Sequence, residues 1–401
     1  MQIGLDARLV AYRGAGGAHY IRSLLAALVK LDRANGYTVF VARGGAPLTG
    51  APGVAHRVLL TPPHHRLERT ALGVELAAYR LDLLHSPDFI PPRLRRGVRS
   101  VITVHDLAFL RDPALLDEPS RRYYGQIGEA VDRADAIIVP SESTRRDLLE
   151  LTDAAAERIH VVHEAADERY RPLERSERLA ALRDAAGAGR LPPDLARLVS
   201  GEFGPFILFV GTIEPRKGLP TLFRAYELYR ARAGRRAAAL VLAGAAGWRH
   251  EAELAGIERL RATGRLVWFQ EATDEQLLLL YNAASVLALP SRYEGFGLPA
   301  LEAMACGTPV LASDVASLPE VVGAAGTLLP PDDPEAWAGA LSELTEDRVR
   351  REAAIAAGLR QAGRFSWLRA AEQTLAVYRR AAGQEEPRAP AEVADPSLRS
   401  G

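Results

Sequence analysis

Cysteine occurs once in the 401 residues, as Cys306, and lysine only twice, as Lys30 and Lys217. A single thiol excludes an internal disulfide and any zinc site built on cysteines. At the end of a short apolar segment, Cys306 reads as a buried structural thiol. No apolar run approaches the roughly 20 residues of a membrane span. Neither sign of charge dominates, since 50 basic and 50 acidic residues cancel, and no global field points to nucleic acid. No histidine or carboxylate cluster has the spacing of a metal site, so no metal is expected. Met1-Gln2-Ile3-Gly4-Leu5-Asp6 enters a strand directly and lacks the pattern of a signal peptide, which predicts a cytoplasmic protein.

The shortage of lysine is informative. Where arginine serves nearly every basic position, a lysine marks a place that needs a compact ammonium. Lys30 ends an amphipathic helical pattern, where a cation suits the helix dipole. Lys217 lies in the glycine-flanked turn Gly211-Thr212-Ile213-Glu214-Pro215-Arg216-Lys217-Gly218.

The composition, 48% hydrophobic and 25% charged, is that of a globular protein, and the length predicts two domains. Charge is uneven along the chain. Residues 1–100 carry 14 Arg and Lys against 6 Asp and Glu, a difference of +8. The cluster Arg93, Arg95, Arg96 and Arg99 fits either a solvated face or an anionic membrane surface.

Apolar strand patterns alternate with helical ones, the rhythm of an α/β fold with parallel sheets. Strands are expected at 2–6, 37–42, 81–85, 100–104, 136–139 and 159–162, then at 206–210, 238–243, 266–269, within 283–290, and at 309–313 and 326–329. Residues 43–70, rich in Gly, Pro and His, read as a surface loop, and Pro119 to Val131 as one helix. Pro140-Ser141-Glu142-Ser143-Thr144 and Ser317-Leu318-Pro319-Glu320 read as helix caps, and Asp332-Asp333 as a turn and cap. His163-Glu164-Ala165 falls at the far rim of the first domain. Residues 384–401 have a disordered composition.

Four stretches carry chemistry. Arg13-Gly14-Ala15-Gly16-Gly17 joins a strand to a helix, which fits a phosphate loop or a plain turn. Arg216 and Lys217, at a second strand-to-helix turn, can clamp a diphosphate, the first by its fork and the second as a point charge. In Glu294-Gly295-Phe296-Gly297-Leu298-Pro299-Ala300-Leu301-Glu302, a glycine-bearing loop leads into a helix whose first N–H groups favour an anion. Its two carboxylates can each hold a vicinal diol; taken alone they could equally end a turn and face a helix dipole. Phosphate and diols together describe a nucleotide-sugar. His105-Asp106 ends a strand on the side where open α/β sheets bind ligands.

The two-glutamate stretch resembles the signature of retaining glycosyltransferases of family 4, which have the GT-B fold. Gly211–Gly218 and the Thr-Val-His-Asp-Leu run at His105 resemble the same family, and the likeness extends to about residue 383. It implies two Rossmann-like domains with parallel sheets facing a central cleft. By that likeness, residues 1–170 form an acceptor-side domain, 171–204 an interdomain segment and 205–365 the donor-binding domain. Residues 366–383 form a helix crossing back to the first domain.

The resemblance places Glu294 on the transferred sugar and Glu302 on the ribose. Gly295, Phe296, Gly297 and Leu298 lie along the donor, His105 beside the sugar with Asp106 as its support, and Arg216 and Lys217 on the leaving diphosphate. Gly16 and Gly17 match a loop that touches donor diphosphate or acceptor, and Glu271 to Thr273 a loop over the base. Many members carry an arginine directly after the first glycine of the second motif. This chain has Thr212, so a hydroxyl or backbone N–H is expected there instead.

The activity so implied is transfer of a hexose, best guess from GDP-mannose, to a saccharide or lipid-linked saccharide in glycan or polysaccharide biosynthesis, with no tightly bound cofactor. An epimerase or hydrolase on the same fold would need further carboxylates at the sugar ring. A non-catalytic nucleotide-sugar binder would be expected to show degraded motifs, and these are intact.

Overall fold

The computed structural model describes the chain except for residues 12–15, 46–47, 64–66, 89–90, 114–117, 188–191, 203, 248 and 385–401. The segment 384–401 therefore lies almost wholly outside the described residues, as do Arg13, Gly14 and Ala15 of the first glycine-rich stretch.

Among the described residues, thirteen strands form two sheets. The first contains β1 (Gln2–Asp6), β2 (Gly36–Ala42), β3 (Val54–Leu59), β4 (Leu83–Ser86), β5 (Arg99–Thr103), β6 (Ala136–Val139) and β7 (Ile159–Val161), in the order β3-β2-β1-β4-β5-β6-β7. The second contains β8 (Phe206–Val210), β9 (Ala239–Ala243), β10 (Leu266–Phe269), β11 (Val286–Leu289), β12 (Val310–Ser313) and β13 (Thr327–Leu329), in the order β10-β9-β8-β11-β12-β13. The registers described in both sheets are parallel. Every residue of β8, β9, β11 and β12 is buried. That explains their unbroken apolar runs, because helices cover both faces of such a sheet.

The chain divides into two compact units that do not follow sequence order. One comprises Met1–Thr103, Glu129–Ile138 and the chain from Ala371 onward. The part of the helix Trp367–Ala381 from Ala371 onward brings Tyr378 against the first sheet. There a buried chain of hydrogen bonds runs from Tyr378 Oη to His85 Nδ1 (2.6 Å), from His85 Nε2 to Thr103 Oγ1 (2.8 Å) and on to Tyr20 Oη (3.1 Å). The other unit comprises Val104–Gly128 and Val139–Ala370. The helices Arg175–Gly187 and Pro193–Ser200 belong to it, and Leu195, Leu198 and Val199 join the core around the second sheet.

The structure corrects three local expectations. Residues 43–70 are not one loop: they hold the edge strand β3, whose polar, half-exposed pattern with His56 and Arg57 hides its pairing with β2. Gly16 and Gly17 form the first turn of the helix Gly16–Leu31 rather than the loop before it. The helix expected over Pro119 to Val131 is two, Glu118–Tyr124 and Ile127–Arg133, separated at Gly125, a residue that weakens a helix interior.

Candidate functional site

The chain leaves β8 for β9 and β10 on one side, then returns to place β11 on the other side of β8. In an open parallel sheet, the crevice at the carboxyl ends of two such strands is where ligands bind. The segments that leave β8 and β11 there are Gly211–Gly218 and Ser291–Gly297.

Their backbones touch. Gly218 has φ +67°, and a Cβ on it would lie 1.9 Å from the carbonyl oxygen of Pro290. The Arg292 amide donates to the Arg216 carbonyl at 2.8 Å. This contact sets Lys217 beside Glu294. Lys217 Nζ donates to Glu294 Oε1 at 2.7 Å and to Oε2 at 2.9 Å, and Ser291 Oγ donates to Oε1 at 2.8 Å. Lys217 and Glu294 are each 7% exposed. Burial pushes the Glu294 carboxyl up, but the Lys217 and Arg216 charges, with hydrogen bonds from Lys217 and Ser291, hold it below the ordinary value. Arg216 lies 2.6 Å from Glu214 through Nε, and donates from Nη1 to the Tyr293 carbonyl at 3.2 Å and to Glu294 Oε2 at 3.4 Å. Burial opposes its charge; Glu294, Asp106 and Glu214 outweigh that and raise its pKa.

His105 and Asp106, just past β5, belong to this same unit. A Cβ on Gly295 would lie 2.1 Å from the His105 carbonyl oxygen and 2.8 Å from Asp106 Cβ, so only glycine lets the two turns meet. Tyr293 ties them further: its hydroxyl accepts from the Leu107 amide at 3.2 Å and donates to Asp147 at 2.6 Å, and Asp147 is in turn paired with Arg111 at 2.6 Å. His105 Nδ1 is 3.1 Å from Glu164 Oε1. The Asp106 carboxylate instead accepts the Ala108 amide at 3.1 Å. Glu164, expected at the far rim of the first domain, is thus brought to His105.

Hydroxyls fix the two-glutamate loop by its carbonyls. Ser141 Oγ donates to Gly295 O at 2.7 Å and Thr144 Oγ1 to the same oxygen at 3.2 Å. Ser317 Oγ donates to Glu294 O at 2.9 Å and to Phe296 O at 2.8 Å. Ser141 also caps its helix, accepting from the Thr144 amide. Ser317 makes no side-chain cap, contrary to expectation, because its hydroxyl is used on the loop. Serine before a helix signals a cap in any sequence, so neither loop contact had a signature.

The loop ends at Gly297, followed by the helix Leu298–Ala305; Pro299 has no N–H and the Ala300 amide donates to the Gly297 carbonyl at 3.0 Å, so the amide end of this helix is its start at Gly297-Leu298. Glu302 lies on that helix and accepts the Tyr281 hydroxyl at 2.7 Å. Burial raises its carboxyl to about 7, only partly opposed by the Tyr281 hydrogen bond.

The other expected positions are spread out. Thr212 follows β8 and is partly exposed. Its methyl lies where a Cβ on Gly247 would approach to 2.6 Å. Glu271 is exposed, and Thr273 caps the helix Asp274–Ala283 in a reciprocal pair with Gln276. Gly16 and Gly17 belong to the first unit, with open space beside each. Among the described residues no group of three or more His, Cys, Asp and Glu is gathered for a metal ion, and no helix is long and apolar enough to cross a membrane.

Two family profiles match the chain: one described as "Glycosyltransferase Family 4" over residues 14–170, the other as "Glycosyl transferases group 1" over residues 196–361. The O-antigen chain mannosyltransferase B of Escherichia coli is 35% identical over 306 residues, 76% of each chain. A D-inositol 3-phosphate glycosyltransferase of Nocardia farcinica is 33% identical over 359 residues, covering 82% of this chain and 76% of that one. Among solved structures, sucrose-phosphate synthase from Thermosynechococcus elongatus superposes with a TM-score of 0.72 at 22% identity, over 96% of this chain and 100% of that one.

Proposed function

The chain belongs to glycosyltransferase family 4, the group 1 glycosyltransferases, with the GT-B fold, and we propose that it moves a hexose with retained configuration from a nucleotide-sugar to a saccharide or lipid-linked saccharide. The observation that carries this reading is the Lys217–Glu294 pair, flanked by Arg216, at the crevice between β8 and β11.

A departing nucleoside diphosphate needs positive charge and fixed N–H dipoles. Lys217, Arg216 and the start of the helix Leu298–Ala305 supply both in place of a metal ion. Glu294 then exchanges part of its cation contact for sugar hydroxyls, and Glu302 takes the ribose diol. His105 holds the sugar from the other side, and Thr212 contacts the diphosphate. Glu271 and Thr273 are assigned to the base, and Gly16 and Gly17 to the acceptor end. The bond from the anomeric carbon to the phosphate oxygen breaks, the acceptor oxygen bonds the same face of that carbon, and the acceptor proton goes to the leaving phosphate.

GDP-mannose is the donor we favour. The likeness to a protein named an O-antigen chain mannosyltransferase supports mannose and a role in polysaccharide assembly. A lipid-linked acceptor on the inner face of a membrane is supported by the first unit. Arg93, Arg95, Arg96 and Arg99 are all exposed there, and Leu60 and Val74 are each 72% exposed. Glu75, next to Val74, accepts the Leu60 amide, and a Cβ on Gly73 would lie 2.3 Å from the Arg93 carbonyl oxygen, so apolar and basic groups adjoin.

Release of nucleoside diphosphate from GDP-, UDP-, ADP- and dTDP-sugars, with and without a chelator, tests the activity. Turnover of a sugar nucleotide that survives chelation and is lost in Lys217→Ala is expected. Turnover of none, with and without candidate acceptors, would remove the reading.

A further inference from the structure

Glu302 keeps different company from Glu294. Among the described residues no ammonium or guanidinium pairs with it, and the Tyr281 hydroxyl, 2.7 Å from Oε2, is its hydrogen-bond donor. Arg169, whose charge reaches Glu302, is itself engaged by Asp274 at 2.6 Å and Asp167 at 3.0 Å. Oε1 takes no hydrogen bond from a described residue, yet it is not one of the buried unpartnered polar atoms, so solvent reaches it. An ionised carboxylate only accepts, and it has room for about four donors. With a single donor on a residue 9% exposed, Glu302 is short of partners. Burial lifts its carboxyl to about 7, and the Tyr281 hydrogen bond opposes that.

Tyr281 is held from three sides. It is wholly buried in the helix Asp274–Ala283. Its ring meets Tyr170 edge-on, with centroids 5.6 Å apart, and its carbonyl accepts the Thr308 hydroxyl. Its hydroxyl therefore fixes where Oε2 lies, and with it Oε1. Glu302 stands four residues beyond Leu298, about 6 Å along the helix axis from the end assigned to the diphosphate. A nucleotide's ribose diol lies at a spacing of that order from its phosphates.

We infer that Tyr281 is a positioning residue for Glu302: its hydroxyl occupies Oε2 and orients the carboxylate so that Oε1 accepts from the ribose diol, which makes the pair select ribonucleotides over deoxyribonucleotides. This role rests on the proposed nucleotide-sugar reading for its ligand, but not for its hold on the carboxylate.

Two measurements separate those parts. The first is calorimetric titration, at pH 8, of GDP, UDP and ADP, each beside its 2′-deoxy and 3′-deoxy counterparts. The wild type should bind one ribonucleotide at least about tenfold tighter than a deoxy counterpart. Tyr281→Phe, which keeps the ring, should cut that ratio to about threefold or less while deoxynucleotide affinity changes little. A purely structural hydroxyl would weaken both ligands alike and leave the ratio intact. In Glu302→Ala the ratio should be near one, and adding Tyr281→Phe should not change it. The second is the carbon-13 titration of the Glu302 carboxyl in the ligand-free protein. Loss of the hydroxyl should move its midpoint up by about one pH unit. A wild type that binds ribo- and deoxynucleotides equally, a ratio unchanged in Tyr281→Phe, or an unmoved carboxyl midpoint would overturn the assignment. If no nucleotide binds, the nucleotide-sugar reading fails, while the carboxyl titration still decides whether Tyr281 holds Glu302.

Discussion

Lys217 and Glu294, 77 residues apart in the chain, form a buried ion pair in which one ammonium serves both carboxylate oxygens, at 2.7 and 2.9 Å. Removing one member of such a pair leaves the other charged and buried, which costs about 3 kcal/mol or more. Lys217→Ala should lower stability by about that much in denaturant titration, moderated by Arg216. Replacing both residues with apolar ones of similar size, as in K217M/E294L, should recover most of the stability and none of the activity. Loss of activity without the paired recovery of stability would show that the ion pair is not what holds these two turns.

Gly295 is the second sensitive point. A methyl there would sit 2.1 Å from the His105 carbonyl oxygen, so Gly295→Ala must part the two turns. A displacement of about 1 Å at a catalytic centre costs on the order of a hundredfold in rate. We expect that loss in kcat with a folded protein by circular dichroism; near-normal turnover would mean the turns separate without consequence.

The loop carbonyls should also respond to substitution. Ser317→Ala strips hydrogen bonds from two buried acceptors, Glu294 O and Phe296 O, and should cost about 1–3 kcal/mol. Ser141→Ala removes a helix cap and the bond to Gly295 O and should cost about 1–2 kcal/mol. Thermal unfolding midpoints check both, and an unchanged midpoint in either would dismiss these hydroxyls as supports.

Much of this site was legible because it is local in sequence. Phe206–Val210 followed by Gly211 to Gly218, and the run into Glu294 to Glu302, each announce a strand, a glycine-bearing turn and a helix. The two scarce lysines separated cleanly, one on a helix end and one in the site. What could not be read is pairing across the chain. Glu164 meets His105 only because β5, β6 and β7 stand side by side, and Ser317 turns to the loop rather than to its own helix. β3 escaped notice because an edge strand need not be apolar on alternate residues. Asp106, the nearest carboxylate in sequence, is engaged by a backbone amide two residues on, and a more distant residue reaches the ring.

Glu302 gives a pH dependence with a definite sign. Its carboxyl is raised by burial to about 7 in the folded state, against the ordinary carboxylate value when unfolded. The folded protein then holds more protons between the two values, so stability falls as pH rises through that window. At about 1.4 kcal/mol per unit, the full effect is on the order of 3 kcal/mol. Glu302→Gln should be less stable than or equal to the wild type near pH 4.5 and gain on it up to pH 7.5. A difference that does not vary with pH would place the Glu302 carboxyl at its ordinary value.

The first unit should bind membranes weakly. Co-sedimentation with vesicles containing phosphatidylserine should fall when Leu60 and Val74 become serine, and again when Arg93, Arg95 and Arg96 are neutralised. Arg99 should matter less, because Asp135 already pairs with it at 2.8 Å. Added salt should weaken the arginine contribution and spare the apolar one. Equal sedimentation of all variants would separate the enzyme from lipid.

The most direct test of the central claim is calorimetric titration of GDP, UDP, ADP and dTDP into the wild type, Lys217→Ala and Glu302→Ala, without added metal. The account predicts that one nucleotide binds, with GDP favoured, and that each substitution weakens it at least about tenfold, a loss of about 1.4 kcal/mol. Binding of no nucleotide, or equal affinity in Lys217→Ala, would contradict a diphosphate site at the crevice between β8 and β11.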